Sequence, residues 1–321
     1  MSTESSPESA KPPLALIAGP TASGKSDCAV RLALALKQAG QDAVVINADS
    51  AQVYADLAVL SARPNVEEMQ GIAHRLFGEW DGAEACSAAD WAARARTVIA
   101  ETHAQGAVPI LVGGTGLYLR TLLDGIAPVP SIEPSVREAV RAMPIDQAYA
   151  ALLHEDPQRA AALSASDTTR VLRSLEVIRS TGRPLADWQQ DRIGGIAGQV
   201  ALHARVLLPP RDWLYERCDR RFALMLEHGA LDEVERLLAR RLEPALPVMR
   251  AIGVPELSAL IGGECSREQA ISRGAQATRN YAKRQYTWFR NQPPTDWQRT
   301  ESFDYDEGIM FASLLRDYGL T

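Results

Sequence analysis

The segment Gly19-Pro20-Thr21-Ala22-Ser23-Gly24-Lys25-Ser26 fits the pattern GxxxxGK[ST] and lies between a short apolar run and an amphipathic stretch. In such a loop backbone N–H groups converge on a phosphate. The helix N-terminus adds partial positive charge, the Lys25 ammonium a full one, and the Ser26 hydroxyl can ligate Mg²⁺. The chemistry is polyphosphate binding, of the nucleotide- or ATP-binding type. An ATPase of this type also needs a strand-terminal acid to hold the metal, whereas the apolar run 109–112 ends in Gly113-Gly114. Asp49, followed by Ser50, Ala51, Gln52 and Tyr54, is the acid best placed beside the loop, although a turn or capping aspartate also occupies such a position. Gly113-Gly114-Thr115-Gly116-Leu117-Tyr118 either brings a hydroxyl and free N–H groups to the same crevice or is a tight strand-to-helix turn. Towards the carboxyl end, Arg279, Lys283, Arg284 and Arg290 interleave with Tyr281, Tyr286, Trp288 and Phe289. That mixture suits phosphate neutralisation and base stacking, and an amphipathic helix with a solvated charged face produces it too. Arg170, Arg173, Arg217, Arg220 and Arg221 extend the stock of cations.

The elements that must carry these residues alternate. Residues 14–18 predict a strand, 26–39 a helix stopping at Gly40, 43–46 a strand, 88–103 a helix and 108–112 another strand. Strands separated by helices require a parallel sheet, because parallel crossovers need an intervening helix. After residue 123 the pattern changes. Pro128, Pro130 and Pro134 lead into helical periodicity over 135–188 without a strand signal, and 200–208 then predicts a returning strand that Pro209-Pro210 ends. Residues 213–289 are mostly helical, with breaks at Gly229, Pro244, Pro247 and Gly262-Gly263. The expectation is an α/β fold, a P-loop NTPase-like parallel-sheet core with an inserted helical domain. The core takes residues 1–127 and 200–321, with a helical carboxyl-terminal part, and the insertion takes 128–199.

The length of 321 residues allows a sizeable core, and 46% hydrophobic against 23% charged residues is ordinary globular composition, which excludes coiled coil, collagen and disorder. A net charge of -6 excludes a uniformly basic nucleic-acid coat but not a local basic face. Cys28, Cys86, Cys218 and Cys265 form no CxxC pair, which suggests reduced thiols and no zinc knuckle. Residues 1–13 are polar and no window approaches about 18 unbroken apolar residues, so a cytoplasmic chain without membrane contact is expected.

Taken together, several segments resemble the bacterial tRNA dimethylallyltransferase (isopentenyl-tRNA transferase) family. They are GPTASGKS, Asp49-Ser50-Ala51-Gln52-Val53-Tyr54, GGTGLY, the stretch from Asp167 to Val177 with Thr181-Gly182, and Ala282-Lys283-Arg284-Gln285 through Trp288-Phe289-Arg290. The resemblance runs in order over residues 14–290. It implies transfer of a dimethylallyl group from dimethylallyl diphosphate to N6 of the adenine next to the anticodon, position 37 of tRNA, with Mg²⁺ and release of diphosphate by a monomeric enzyme. Asp49 matches the family's general base, and Thr115 a residue close to acceptor and diphosphate. Gly19 to Ser26 match the cradle, with Ser26 towards the metal; Lys25, on the charge growing on the diphosphate, and Arg217 are also expected among the catalytic residues. The resemblance assigns tRNA contacts to Asp49, Ser50, Ala51, Gln52, Thr115, Arg137, Thr169, Arg170, Val171, Leu172, Arg173, Arg250, Lys283, Arg284, Gln285 and Arg290. The chain departs from the family where Arg250-Ala251-Ile252-Gly253-Val254-Pro255 stands in place of a Gly-aromatic-basic pattern. Competing functions are a small-molecule kinase, an isopentenyltransferase acting on free adenylate, and a nucleotide-switched RNA-binding regulator. The kinase leaves the insertion and basic helix without a role, the arginines disfavour the free-nucleotide enzyme, and the missing second metal carboxylate disfavours the regulator.

Overall fold

A computed structural model describes residues 11–301 and 315–316. Six parallel strands form one sheet in the order β3-β2-β4-β1-β5-β6. They are β1 (Pro13–Ala18), β2 (Ala43–Asn47), β3 (Ala73–Arg75), β4 (Val108–Gly113), β5 (Ala201–Leu207) and β6 (Gln298–Thr300). The two inner strands read as unbroken apolar runs, LALIA in β1 and VPILV in β4, because helices cover both sheet faces and leave no side of a central strand to water. β1 pairs with β4 on one side and β5 on the other, so the chain changes direction across the sheet at β1. Ligands collect at the carboxyl ends of strands beside such a switch point.

Helices α1 (Lys25–Gln38), α2 (Val66–Met69), α3 (Ala88–Ala104) and α4 (Gly116–Asp124) fill the crossovers of the first half. In α1 the buried Cys28, Ala29, Leu32, Ala33 and Leu36 recur at helical spacing and pack on Ile17 and Ile110 of the sheet. Each leucine so buried contributes roughly 1.5–3 kcal/mol. Capping boxes start α2 at Asn65 and α3 at Ser87.

The chain divides into two compact units, one holding the residues up to Leu122 and from Ala197 onwards, the other Leu123–Ile196. The second unit is helical: α5 (Pro134–Arg141), α6 (Ile145–Glu155), α7 (Pro157–Ala161), α8 (Thr168–Thr181) and α9 (Leu185–Trp188). Its core gathers Val140, Ala148, Leu152, Ala160, Val171 and Leu175. In the first unit β5 leads into α10 (Arg211–Glu227), α11 (Ala230–Ala239), a 3-10 turn at Val248–Arg250, α12 (Val254–Ile261) and α13 (Arg267–Asn291). No helix among the described residues is long and apolar enough to cross a membrane.

The sequence pattern did not predict β3 and β6. Both are three-residue edge strands, AHR and QRT, without apolar alternation, and only their pairing to β2 and β5 defines them.

Candidate active site

The phosphate loop leaves β1 and turns into α1 at Gly24, whose φ of 86° lies in the left-handed region that glycine enters without strain. The backbone of this loop is held from two other elements. Gln285 of α13 accepts from the Thr21 N–H at 2.8 Å, and Arg217 of α10 donates from Nε to the Ala22 carbonyl at 3.0 Å. Arg221, one turn on, donates to the Thr21 hydroxyl. The Lys25 ammonium reaches the Pro20 carbonyl at 3.2 Å, and loss of water around it lowers its pKa to about 8; Asp49 opposes the shift and Arg221 adds to it. The Ser23 hydroxyl is buried without a hydrogen-bond partner.

Asp49 follows β2 and is 8% exposed. Its placement begins one residue inside the strand: the buried Asn47 accepts from the Asp49 N–H at 2.8 Å and donates to the Asp49 and Leu76 carbonyls, each at 3.0 Å. Asp49 Oδ1 accepts from the Ala51 N–H at 3.0 Å. The turn reading of this residue is therefore correct as far as it goes, and it leaves Oδ2 outside the turn. Thr115 Oγ1 accepts from the Ser50 N–H at 2.9 Å, and the Thr115 N–H donates to the Ala48 carbonyl at 3.2 Å, so the loops after β2 and β4 are stitched together. Tyr281 of α13 reaches the hydroxyls of Ser50 and Thr115; burial pushes its pKa up, and the Asp49 charge adds to that.

Two cavities meet at this point. One, of about 490 Å³, is lined by the phosphate loop, Lys25, Ser26, Ser61, Arg217 and Arg221. The other, of about 320 Å³, is walled by Tyr54, Leu57, Leu60, Tyr118, Phe222, Met225 and Tyr281, with Arg250 and Arg284. Thr21, Asp49, Ser61 and Arg221 line both. A carboxylate thus stands between an anion cradle and a mostly apolar, aromatic chamber, where it can take a proton from a group in the chamber as a bond breaks in the cradle. Beside the cations, the groups at the cradle able to ligate a metal are oxygens, among them Ser26, Asp49 and Thr21. That set suits a hard cation that keeps water and substrate oxygens as further ligands, and so fits Mg²⁺. Among the described residues no three His, Cys, Asp or Glu side chains cluster as a metal cage.

The structure separates the sequence-predicted residues into groups. Asp49, Ser50, Ala51, Thr115 and Lys25 converge with the phosphate loop, and Arg250 and Arg284 reach the second cavity. Gln52 is buried, its amide donating to the Ser61 and Ala62 carbonyls at 3.0 and 2.8 Å, so it shapes the wall rather than facing outward. Gln285 was expected among the RNA contacts and is instead buried against the phosphate loop. In the helical unit Arg137, Thr169 and Arg170 are exposed, but Val171 is fully buried and Leu172 packs on the same core, because the apolar stripe of α8 turns inward there. Arg170 pairs with Asp167 at 3.2 Å, and Arg173 with the buried Glu176 at 3.6 Å. Lys283 and Arg290 are exposed on α13. Val254, in the segment that departs from the family pattern, is buried as the first residue of α12.

Sequence reasoning missed Asn47 and Glu233, and it named Tyr281 only as an aromatic of the basic helix, without its place beside Asp49. Glu233 of α11 is 4% exposed and accepts from the N–H groups of Ala58, Val59 and Leu60 at 2.6, 2.8 and 2.9 Å, fixing the loop that walls both cavities. A buried carboxylate 173 to 175 residues away from its partners has no local sequence signal. Asn47 did have one, as a polar residue closing an apolar strand.

A family model described as IPP transferase matches residues 52–292. The chain is 66% identical over 306 residues to a tRNA dimethylallyltransferase of Erythrobacter litoralis, a match covering 95% of this chain and 96% of that one. Among solved structures it is similar to a tRNA isopentenylpyrophosphate transferase from Bacillus halodurans, at a TM-score of 0.69 and 32% identity, over 96% and 97% of the two chains. It is also similar to a eukaryotic dimethylallyltransferase described as acting on tRNA, at a TM-score of 0.78 and 26% identity, over 95% of this chain and 77% of that one.

Proposed function

This chain belongs to the IPP transferase family, and on that premise we propose that it moves the dimethylallyl group of dimethylallyl diphosphate to N6 of adenine 37 of tRNA, releasing diphosphate. It is a prenyltransferase with the P-loop NTPase-like fold of its structural neighbours. The observation that carries the mechanism is the position of Asp49, in the wall shared by the anion cradle and the aromatic chamber.

In this reading the cradle grips the donor's diphosphate through the loop amides, Lys25, Arg217 and Arg221, and the dimethylallyl chain points towards the chamber. Ser26 would hold Mg²⁺, which would neutralise further charge on the diphosphate. As the allylic C–O bond breaks, its electron pair stays with the departing diphosphate. The N6 lone pair of adenine forms the new bond to carbon, and the N6 proton passes to the Asp49 carboxylate. The amine is a poor nucleophile, so the base is worth roughly 10²–10⁴ in rate. Preorganised cations on the leaving group stabilise the charge that develops there. The loop serves an allylic diphosphate rather than ATP, which accounts for the Gly-Gly end of β4, since nothing attacks phosphorus. The adenine leaves its stack to enter the chamber, where Tyr54, Tyr118 and Tyr281 offer apolar and stacking surface. Arg250, Arg284, Lys283 and Arg290 of the first unit supply cations for the RNA backbone, as do Arg137 and Arg170 of the second. The first unit carries both cavities and the basic helix, so cradle, base and cations for the RNA lie on one chain.

Asp49→Asn tests this reading. The amide keeps the shape and the Ala51 contact but cannot take the proton, so single-turnover transfer should fall roughly 10²-fold or more, with donor and tRNA binding nearly intact. Transfer at the wild-type rate would remove Asp49 from the role of base.

A further inference from the structure

Helix α13 buries the stripe Thr278, Ala282, Gln285 and Phe289, four residues at helical spacing. Gln285 is the one carboxamide on it and is 5% exposed. Both ends of that amide are engaged, and by different loops. Oε1 accepts from the Thr21 N–H at 2.8 Å, and Nε2 donates to the Gly114 carbonyl at 2.8 Å. Thr21 lies in the phosphate loop and lines both cavities, while Gly114 precedes Thr115, whose hydroxyl holds Ser50 beside Asp49. The approach is close: a Cβ on Gly114 would stand 2.4 Å from the amide nitrogen and 2.9 Å from the Gly19 carbonyl oxygen, so a side chain there would displace the amide or the loop. With both ends of the amide bonded inside the protein and the side chain 5% exposed, Gln285 faces the two loops and not RNA.

We infer that Gln285 is a positioning residue for the reaction: its amide holds the phosphate loop and the 113–116 loop in register, so that the donor's diphosphate is gripped at the right distance from Asp49. The inference rests on the reading of the phosphate loop as the diphosphate cradle. Its two halves are separable by chemistry. Alanine removes both bonds and leaves two buried backbone groups unpaired. Glutamate keeps the acceptor for Thr21 but, when ionised, turns a second acceptor on the Gly114 carbonyl. Once protonated, the acid again offers one acceptor and one donor in nearly the shape of the amide, and burial favours that neutral form.

The test measures binding of dimethylallyl diphosphate by calorimetry without tRNA, binding of tRNA by filter retention, and transfer, for wild type, Gln285→Ala, Gln285→Glu and Lys25→Ala. Gln285→Ala should weaken donor binding roughly tenfold, the scale set by unpaired buried groups, and leave tRNA affinity within about twofold. Gln285→Glu should bind the donor poorly at pH 8 and recover towards wild type at pH 6, relative to wild type at each pH. A merely loosened fold would not recover in acid. If Lys25→Ala loses donor binding while both Gln285 variants keep it, the inference is wrong. It is equally overturned if tRNA affinity alone falls, or if Gln285→Glu shows no recovery. A Lys25→Ala protein that binds the donor like wild type removes the phosphate-loop reading, and this inference with it.

Discussion

Lys25 shows how much of a residue's chemistry is set by its surroundings. Its place in the motif was legible in the sequence, and its titration was not, because that depends on burial and on Asp49 and Arg221 across the cavity. With a folded pKa of about 8 against an ordinary 10.5, the ammonium starts to lose its proton near pH 8 in the free protein. The sign follows directly. Folding lowers this pKa, so the cost of burying the cation is fully present below pH 8 and is relieved as pH rises from 8 towards 10.5. Anion binding favours the protonated form. Dimethylallyl diphosphate affinity should therefore decline as pH rises through 8, and binding above that pH should take up a proton. Calorimetry in buffers of different ionisation enthalpy reads both. Binding that is flat from pH 7 to 10 with no proton uptake would mean that Lys25 stays charged without the ligand. Asp49 illustrates the opposite case: its position after a strand was readable, but the choice between turn residue and base was not, and the structure shows one carboxylate oxygen in the turn and the side chain in both cavities.

Among the elements, the apolar runs of β1, β2 and β4 and the periodic helices α1 and α3 were legible because local pattern reports burial there directly. The short edge strands were not, since tertiary pairing alone makes them strands. The same division holds for α13, whose basic residues were readable while its inward stripe, with Tyr281 and Gln285 turned to the site, depended on packing. Part of the lining of both cavities is a loop, residues 57–62, held from α11. Three backbone N–H groups end on Glu233, and Arg240 of the same neighbourhood pairs with Asp56 and Asp81. Glu233→Ala leaves three donors unpaired in a buried place. It should cost about 2–4 kcal/mol in urea unfolding, and Glu233→Gln, which keeps one acceptor oxygen, should cost less. A loss under about 0.5 kcal/mol for the alanine variant would show that water replaces the carboxylate and the wall does not depend on it.

For the whole molecule the question is how a chain of net charge -6 handles a polyanion. The cations are local. Lys283 and Arg290 are exposed on α13, and Arg250 and Arg284 stand at the chamber with Asp49 in its wall. In the helical unit Arg170 and Arg173 are partly committed to Asp167 and Glu176. Arg284 also stacks over Tyr281 at 5.7 Å, so it belongs to the chamber as much as to any RNA surface, which its place on a charged helix did not reveal. An enzyme that takes free adenylate needs the cradle and the base but not these cations, and so the acceptor is the measurement that decides. Label transfer from dimethylallyl diphosphate should be followed side by side with tRNA and with AMP as acceptors, at matched adenine concentration and in rising salt. Label should appear in tRNA, on adenine 37, and not measurably in AMP, with the rate at limiting tRNA falling steeply as salt rises. Efficient labelling of AMP, or a tRNA rate indifferent to salt, would contradict the assignment of tRNA as the acceptor.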